Sequence, residues 1–375
     1  MAWLLIGVST RVSIASIPPL IQQIQDALAV GQQAGALLTA APVLFMGALP
    51  LVISAAMGQR RWNTAVQFAL ALIAFATALR FASPPYAVLL LTCALVGVGT
   101  AVCQTLLPSV TARAWPYQTA ALTAVFASGM GVGAALAAAA SPLLYAAAAS
   151  WGVALGVWAS MPLLAAATLR LVAAAEPNPE PLRAAPPVKT PIGALLRICA
   201  YFVGSATLFW TSLAWLAPAY RAMGRGDEEA GLLMAVFTLA QIPGSLVAGS
   251  LWNGWRFRVL DGLLAVTALS LLAIPIASQH ALAWLWVAIA GFGCGGLFSL
   301  GMYLPAWLGR DGAEIRRMSA LSLTCGYLLA GLGPLAFAWL REHSASFVVP
   351  FACLAGVCVP MCLISHSIER NPMHG

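Results

Sequence analysis

The chain has 375 residues, 61% of them hydrophobic and only 8% charged, with a formal net charge of +7. An ordinary soluble domain is about 25% charged, so the composition excludes a soluble globular fold and points to an integral membrane protein. The positive balance would suggest nucleic acid in a soluble chain, but the arginines stand mainly at the ends of apolar runs, where the bilayer explains them and no nucleic-acid partner is expected.

A helix needs about 20 mostly apolar residues to cross a hydrocarbon core of roughly 30 Å. Twelve such runs are predicted, near 2–22, 35–57, 63–81, 86–108, 118–140, 148–170, 196–218, 229–251, 259–277, 281–305, 317–340 and 347–367. The first lacks a basic leader and carries its only charge inside the apolar stretch, so it reads as a helix and not as a secretory signal.

That charge is Arg11, in "WLLIGVSTRVSIASIPPLIQQI". It stands about ten residues from either end of its helix, roughly 15 Å deep at 1.5 Å per residue. A charge at that depth costs on the order of 2.5–3.5 kcal/mol, and a side chain does not readily snorkel so far. No acid stands at matching depth. Asp26, Asp227, Glu228, Glu229 and Glu342 belong to one set of loops, and Glu176, Glu180, Asp311, Glu314 and Glu369 to the other. Asp261 follows Arg256 and Arg258 and is expected to pair with them. Either Arg11 is structural, held by carbonyls, or its partner is the cargo. The second reading is adopted: a small anion or an acceptor-rich solute gripped by the planar guanidinium fork.

Further along, uncharged polar residues mark the expected cavity-lining or adjacent helices: Thr39 in the second, Gln104 in the fourth, Ser128 in the fifth, Gln241 in the eighth and Tyr327 in the eleventh. Amide, hydroxyl and phenol groups orient a ligand without adding charge. Gln104 precedes Pro108 by one turn and has a second reading, satisfying backbone that the proline leaves open. For Ser128, Gln241 and Tyr327 the competing role is hydrogen bonding between helices.

Between the sixth and seventh runs, "AEPNPEPLRAAPPVKTP" cannot form a continuous helix and reads as an exposed linker. The expected organisation is a six-helix half over 1–171, a linker over 172–195 and a second half with a short tail over 196–375. The halves repeat at a shift of 196 to 197: Gly58 matches Gly254, Arg60 matches Arg256, Pro108 and Arg113 match Pro305 and Arg310, and Gly129 matches Gly326. Aligning Pro19 with Pro218 places Trp210 opposite Arg11, where an indole donor would face the guanidinium across a cavity; packing is its other reading. Two related six-helix halves describe an all-α major facilitator fold, with the substrate near the midplane between halves that rock against each other.

With both termini in the cytoplasm, thirteen basic residues lie inside (Arg60, Arg61, Arg113, Arg170, Arg183, Lys189, Arg197, Arg256, Arg258, Arg310, Arg316, Arg317, Arg370) and four outside (Arg80, Arg221, Arg225, Arg341), which selects this orientation. All eight cysteines fall in apolar runs without a C-x-x-C pair, so packing is expected and metal ligation is not; Cys358 and Cys362 have helical spacing.

Finally, "TRVSIASIPPL", "CQTLLPSVTARAW", "LFWTSLAWLAPAY", "LAQIPGSLV" and "CGYLLAGLGPLAFAWL" resemble the cyanate and 2-nitroimidazole transporter family of major facilitators. The resemblance implies a bacterial inner-membrane transporter of a small anionic or nitro-bearing solute, working as a monomer without cofactor. "MGQRRW" departs from the superfamily pattern in having no acid ahead of its basic residues. No central carboxylate or histidine offers itself as a proton carrier, so facilitated diffusion, anion exchange or substrate-borne proton movement is expected. Two alternatives stay open, a multidrug or metabolite efflux transporter of the same fold and a receptor that binds without translocating. An enzyme is not expected, since no nucleophile–base pair or ligand cluster lies in the membrane core.

Overall fold

The computed structural model describes residues 1–56, 62–114, 119–173, 192–276, 280–308 and 312–370. Their secondary structure is helical. Hydrocarbon leaves few other options, because a helix satisfies its backbone N–H and C=O groups within its own segment.

Among the described residues, eleven helices are long and apolar enough to cross a bilayer. They are α1 (Ala2–Leu28), α2 (Gln32–Ile53), α3 (Trp62–Ala82), α4 (Tyr86–Leu107), α5 (Val125–Ala148), α6 (Trp151–Leu171), α7 (Ile192–Ala222), α8 (Asp227–Ala248), α10 (Ala281–Pro305), α11 (Met318–Ser344) and α12 (Val348–Ile368). The remaining expected helix, α9, occupies 258–273, because helical backbone continues over Asp227–Ala273. Gly296 of α10 shows that this stretch doubles back. A Cβ built on it would lie 2.8 Å from the Leu263 side chain and 3.2 Å from the Gly244 carbonyl. In a straight helix residues 244 and 263 would be about 28 Å apart. The expected eighth and ninth helices are therefore the two antiparallel arms of one stretch.

The duplication is visible in the packing. Gly99 of α4 packs on Ala69 and Ile73 of α3, and Gly293 of α10 packs on Leu263 and Thr267 of α9, each partner displaced by 194 residues. Likewise Gly129 of α5 abuts Leu4 of α1, while Gly326 of α11 abuts Phe202 of α7. At such points an added Cβ would collide with its neighbour, and small residues are what lets apolar helices approach in lipid. Of the predicted linker, residues 174–191 lie outside the described residues, as do Arg60, Arg61, Arg183, Lys189 and Arg310.

The helices divide by burial. In the most apolar window of α1, 89% of residues are buried, against 39% in α5 and α12. So α1 runs inside the bundle while α12 faces lipid with much of its surface. The prolines of α1 interrupt it: helix runs Ala2–Ala15, a 3-10 turn covers Pro18–Leu20, and helix resumes over Ile21–Leu28. Neither Pro18 nor Pro19 can donate a backbone hydrogen bond, and the Ile17 amide bonds the Ile14 carbonyl at 3.4 Å, so no amide four residues on claims the Ser13 carbonyl.

The halves meet where α2 packs on α11 and α5 packs on α8. At one end they are also tied by polar contacts. Arg221 of α7 pairs with Asp227 of α8 at 2.6 Å, donates to the Gln23 amide oxygen of α1 at 2.9 Å and reaches the Pro19 carbonyl at 3.3 Å. Gln23 in turn donates to Asp227. This latch joins α1 to the α7–α8 corner at that end of the bundle.

Candidate functional site

Arg11 is 4% exposed. Its nearest polar neighbours along α1 are satisfied: Ser9 bonds the Leu5 carbonyl at 2.6 Å, Thr10 the Gly7 carbonyl at 2.8 Å, and Ser13 the Thr77 hydroxyl at 2.8 Å. Arg11 is not, since its Nη1 is buried without a hydrogen-bond partner. Among the described residues, the ion pairs are Arg221–Asp227, Arg225–Glu229 and His366–Asp261, none of which includes it.

What surrounds the guanidinium is aromatic. Its Cζ stands 4.6 Å from the centroid of the Trp210 ring and 5.8 Å from that of Phe209. The Tyr327 hydroxyl is its polar neighbour. Trp210 stacks edge-on against Phe209 at 5.0 Å and Tyr327 at 6.3 Å, so the three rings fix one another. A desolvated cation over an indole face gains about 2 kcal/mol. That offsets part of the cost of burial but supplies no acceptor for the free N–H groups. Trp210 was expected to point a donor across a cavity; instead it lays its face on the guanidinium, and its own Nε1 is also buried without a partner.

Arg11 lines a cavity of about 330 Å³. Helix α5 contributes Ser128, Met130 and Gly131, α8 contributes Thr238, Gln241 and Ile242, and α10 contributes Phe298 and Ser299, with Phe209 of α7 completing the wall. Residues 238–246 of α8 lie eleven to nineteen positions beyond Asp227, or about 17–28 Å along the helix. The cavity therefore lies well away from the latch, toward the opposite end of the bundle. Both halves supply walls, and among the described residues of the lining the only charge is Arg11.

The predicted site residues divide. Ser128 and Gln241 line this cavity with Arg11, and Tyr327 and Trp210 pack against the guanidinium. The Gln241 amide reaches the Phe237 carbonyl at 3.4 Å, a long bond that leaves it free to turn. Gln104 stands one layer back, donating to the Met130 sulfur at 3.4 Å. Thr39 is elsewhere: its hydroxyl bonds the Ala36 carbonyl at 2.8 Å, and it lines a separate pocket with Gln22, Trp215 and Arg341. Arg80, counted among the outside basic residues at the end of the run 63–81, is fully buried and bonds the Ser13 carbonyl at 2.6 Å and the Thr92 hydroxyl at 3.1 Å.

Sequence reasoning missed Thr238, Phe209, Phe298 and Ser299. Thr238 stands three residues before Gln241 and so shares its helix face, a signal that was available. The two phenylalanines could not be told from lipid-facing ones.

No protein-family model matches the chain. It is 28% identical to the cyanate transport protein CynX of Escherichia coli (strain K12), the match covering 95% of this chain and 94% of that protein. It is 26% identical to a 2-nitroimidazole transporter of the same organism, over 95% and 90% of the two chains, and 25% identical to the uncharacterized transporter YycB of Bacillus subtilis (strain 168), over 96% and 91%. Among solved structures, a bacterial homolog of the human lysosomal transporter Spinster matches with TM-scores of 0.77 and 0.79 in its unoccupied and occupied inward-facing forms, at 15% and 14% identity, covering 99% and 98% of this chain and 96% of that one. All of these relatives and neighbours are transporters. The chain has the major facilitator fold, and it is similar over nearly its whole length to the transporters of cyanate and 2-nitroimidazole.

Proposed function

We propose that this protein is a secondary transporter that moves a small anionic or acceptor-rich solute by alternating access, with Arg11 as the binding group at the midplane. The observation that carries the reading is a buried guanidinium whose Nη1 has no partner, on the wall of a cavity whose described lining holds no other charge. Leaving such a donor unpaired costs roughly 1–3 kcal/mol, more for a charged group. A solute offering a carboxylate-like or nitro oxygen would remove that cost while it stays bound.

The shape of the site agrees. Aromatic faces of Phe209 and Phe298 beside one guanidinium suit a flat solute with its acceptor atoms at one end, and the hydroxyls of Ser128, Thr238 and Ser299 suit its polar edge. The cavity is at the lower limit of pockets that hold small molecules, which run from about 300 to 1,000 Å³. Both a cyanate-like ion and a nitroaromatic fit within it. An apolar cation does not suit it, because like charge at close range in a low dielectric is strongly unfavourable.

In this reading residues 1–171 and 196–375 are the two moving halves, both termini face the cytoplasm, and the Arg221–Asp227–Gln23 latch opens when the halves rock the other way. The test is uptake into proteoliposomes of purified protein, with tracer cyanate and 2-nitroimidazole and competition by small anions and lipophilic cations. Saturable uptake that small anions inhibit and Arg11→Gln abolishes is the expected result. Inhibition by lipophilic cations alone would favour the efflux reading, and saturable binding without uptake would favour a receptor.

A further inference from the structure

A second cluster lies outside the transport cavity. Asp261 of α9 and Cys362 and His366 of α12 are brought together so that one donor atom of each lies within 4.8 Å of the others. They are remote in sequence: Asp261 precedes Cys362 by 101 residues, while Cys362 and His366 are one helical turn apart. The sequence pairs Asp261 with Arg256 and Arg258; the Arg256 side chain lies outside the described residues, and the fold gives Asp261 the thiol and the imidazole as neighbours.

The three groups are gathered without being well bonded to one another. The Cys362 sulfur is 3.8 Å from both Asp261 Oδ1 and His366 Nδ1, at the long end of sulfur hydrogen bonding, and His366 Nε2 is 3.7 Å from Asp261 Oδ2, beyond hydrogen-bond range. With Zn–S near 2.3 Å and Zn–N and Zn–O near 2.0–2.1 Å, a tetrahedral ion holds its ligand atoms about 3.3–3.5 Å apart. The separations from sulfur to Oδ1 and from Nε2 to Oδ2 therefore need to contract by only a few tenths of an ångström, while the sulfur and the imidazole nitrogen, within 4.8 Å of each other, close in by a side-chain rotation. The imidazole is also oriented for it. His366 Nδ1 lies 3.0 Å from the Cys362 carbonyl, so a proton on Nδ1 is donated to the backbone and the Nε2 lone pair faces Asp261. Metal-binding histidines almost always fix their second nitrogen in this way.

We propose that Asp261, Cys362 and His366 form a binding site for a divalent cation of the zinc class, joining α9 to α12. Thiolate, imidazole and carboxylate together select zinc-like ions, because magnesium and calcium require oxygen ligands. The side chains of Asp261 and His366 are 40% and 42% exposed, so water reaches the fourth coordination position. On binding, the Cys362 thiol gives up its proton to solvent and its sulfur bonds the ion. Both helices belong to the same half, so the ion would brace that half without locking it to the other. It is independent of the solute at Arg11.

The test uses purified full-length protein, freed of any affinity tag and of metal, titrated with Co²⁺ and followed by absorption. The expected result is one Co²⁺ per chain, with a thiolate-to-metal charge-transfer band in the near ultraviolet that Zn²⁺ displaces and excess Mg²⁺ does not. Cys362→Ser should remove that band, and His366→Ala and Asp261→Asn should each weaken binding at least tenfold. Cys358→Ser, one turn away, should leave it intact. These variants lie on two different helices, and each is compared with wild type by metal-free melting, so a misfolded one does not decide the matter. Absence of a saturable one-to-one signal in the wild type, or a charge-transfer band that survives Cys362→Ser, overturns the proposal.

Discussion

Arg11 and Arg80 are both buried inside membrane-spanning helices, and they are handled in opposite ways. Arg80, with no exposed surface, spends its donors on the protein: Nη1 on the Ser13 carbonyl at 2.6 Å, Nε on the Thr92 hydroxyl at 3.1 Å and Nη2 on the Cys93 sulfur at 3.7 Å. The carbonyl it takes is one that the Pro18–Pro19 break leaves without a helical donor. Arg11, two residues before Ser13 on the same helix, meets ring faces and a phenol, keeps Nη1 unpaired and lines a cavity. A buried cation each of whose nitrogens has a protein partner is a structural part, whereas one with a nitrogen left unpaired beside open space is a binding group.

The comparison predicts opposite outcomes for opposite substitutions. Arg11→Gln is expected to give the largest effect on transport, a loss of apparent affinity of about tenfold to a hundredfold, since a charge-assisted hydrogen bond contributes roughly 1.5–3 kcal/mol. Arg11→Lys should recover only part, because an ammonium keeps the charge and loses the fork. Thermal melting of Arg11→Met should be unchanged or higher than wild type, because an incompletely satisfied charge has been removed.

Arg80→Met reverses the pattern. It leaves the Ser13 carbonyl and Thr92 without their partner and should destabilise the protein by about 1–3 kcal/mol, read as a lowered melting temperature, while molecules that remain folded bind solute with unchanged affinity. A smaller effect is expected from Trp210→Phe, which keeps a ring over the guanidinium but weakens the cation–π contact and removes the second unpaired donor. Apparent affinity should fall by up to about tenfold. Smallest of all, Thr39→Ala should change solute affinity by less than about twofold, since its hydroxyl is bonded to its own helix and faces another pocket. A large loss there would mean that the separate pocket belongs to the solute pathway.

Much of this was legible in the sequence. Helix positions followed from apolar length, and the separate runs 229–251 and 259–277 matched the two arms α8 and α9. Arg11 stood out because a charge in the middle of an apolar run needs a cause. Arg80 did not, because it sits at the end of its run and reads as one of the basic residues on the outer side. The carbonyl that claims it lies 67 residues away, and nothing local announces the pairing. Thr39 and Gln104 show a related limit. In a helix that is apolar all round, sequence gives the depth of a polar residue but not the face it occupies. Trp210 was found through the internal repeat, which gave its position opposite Arg11 but not the orientation of its ring.

The most direct measurement is solute binding to purified wild-type protein, Arg11→Gln and Arg80→Gln by isothermal titration calorimetry with a nitroaromatic anion-mimic and with cyanate. The account predicts that binding is lost in Arg11→Gln and retained, in whatever fraction stays folded, in Arg80→Gln. Unchanged binding in a folded Arg11→Gln protein would contradict it.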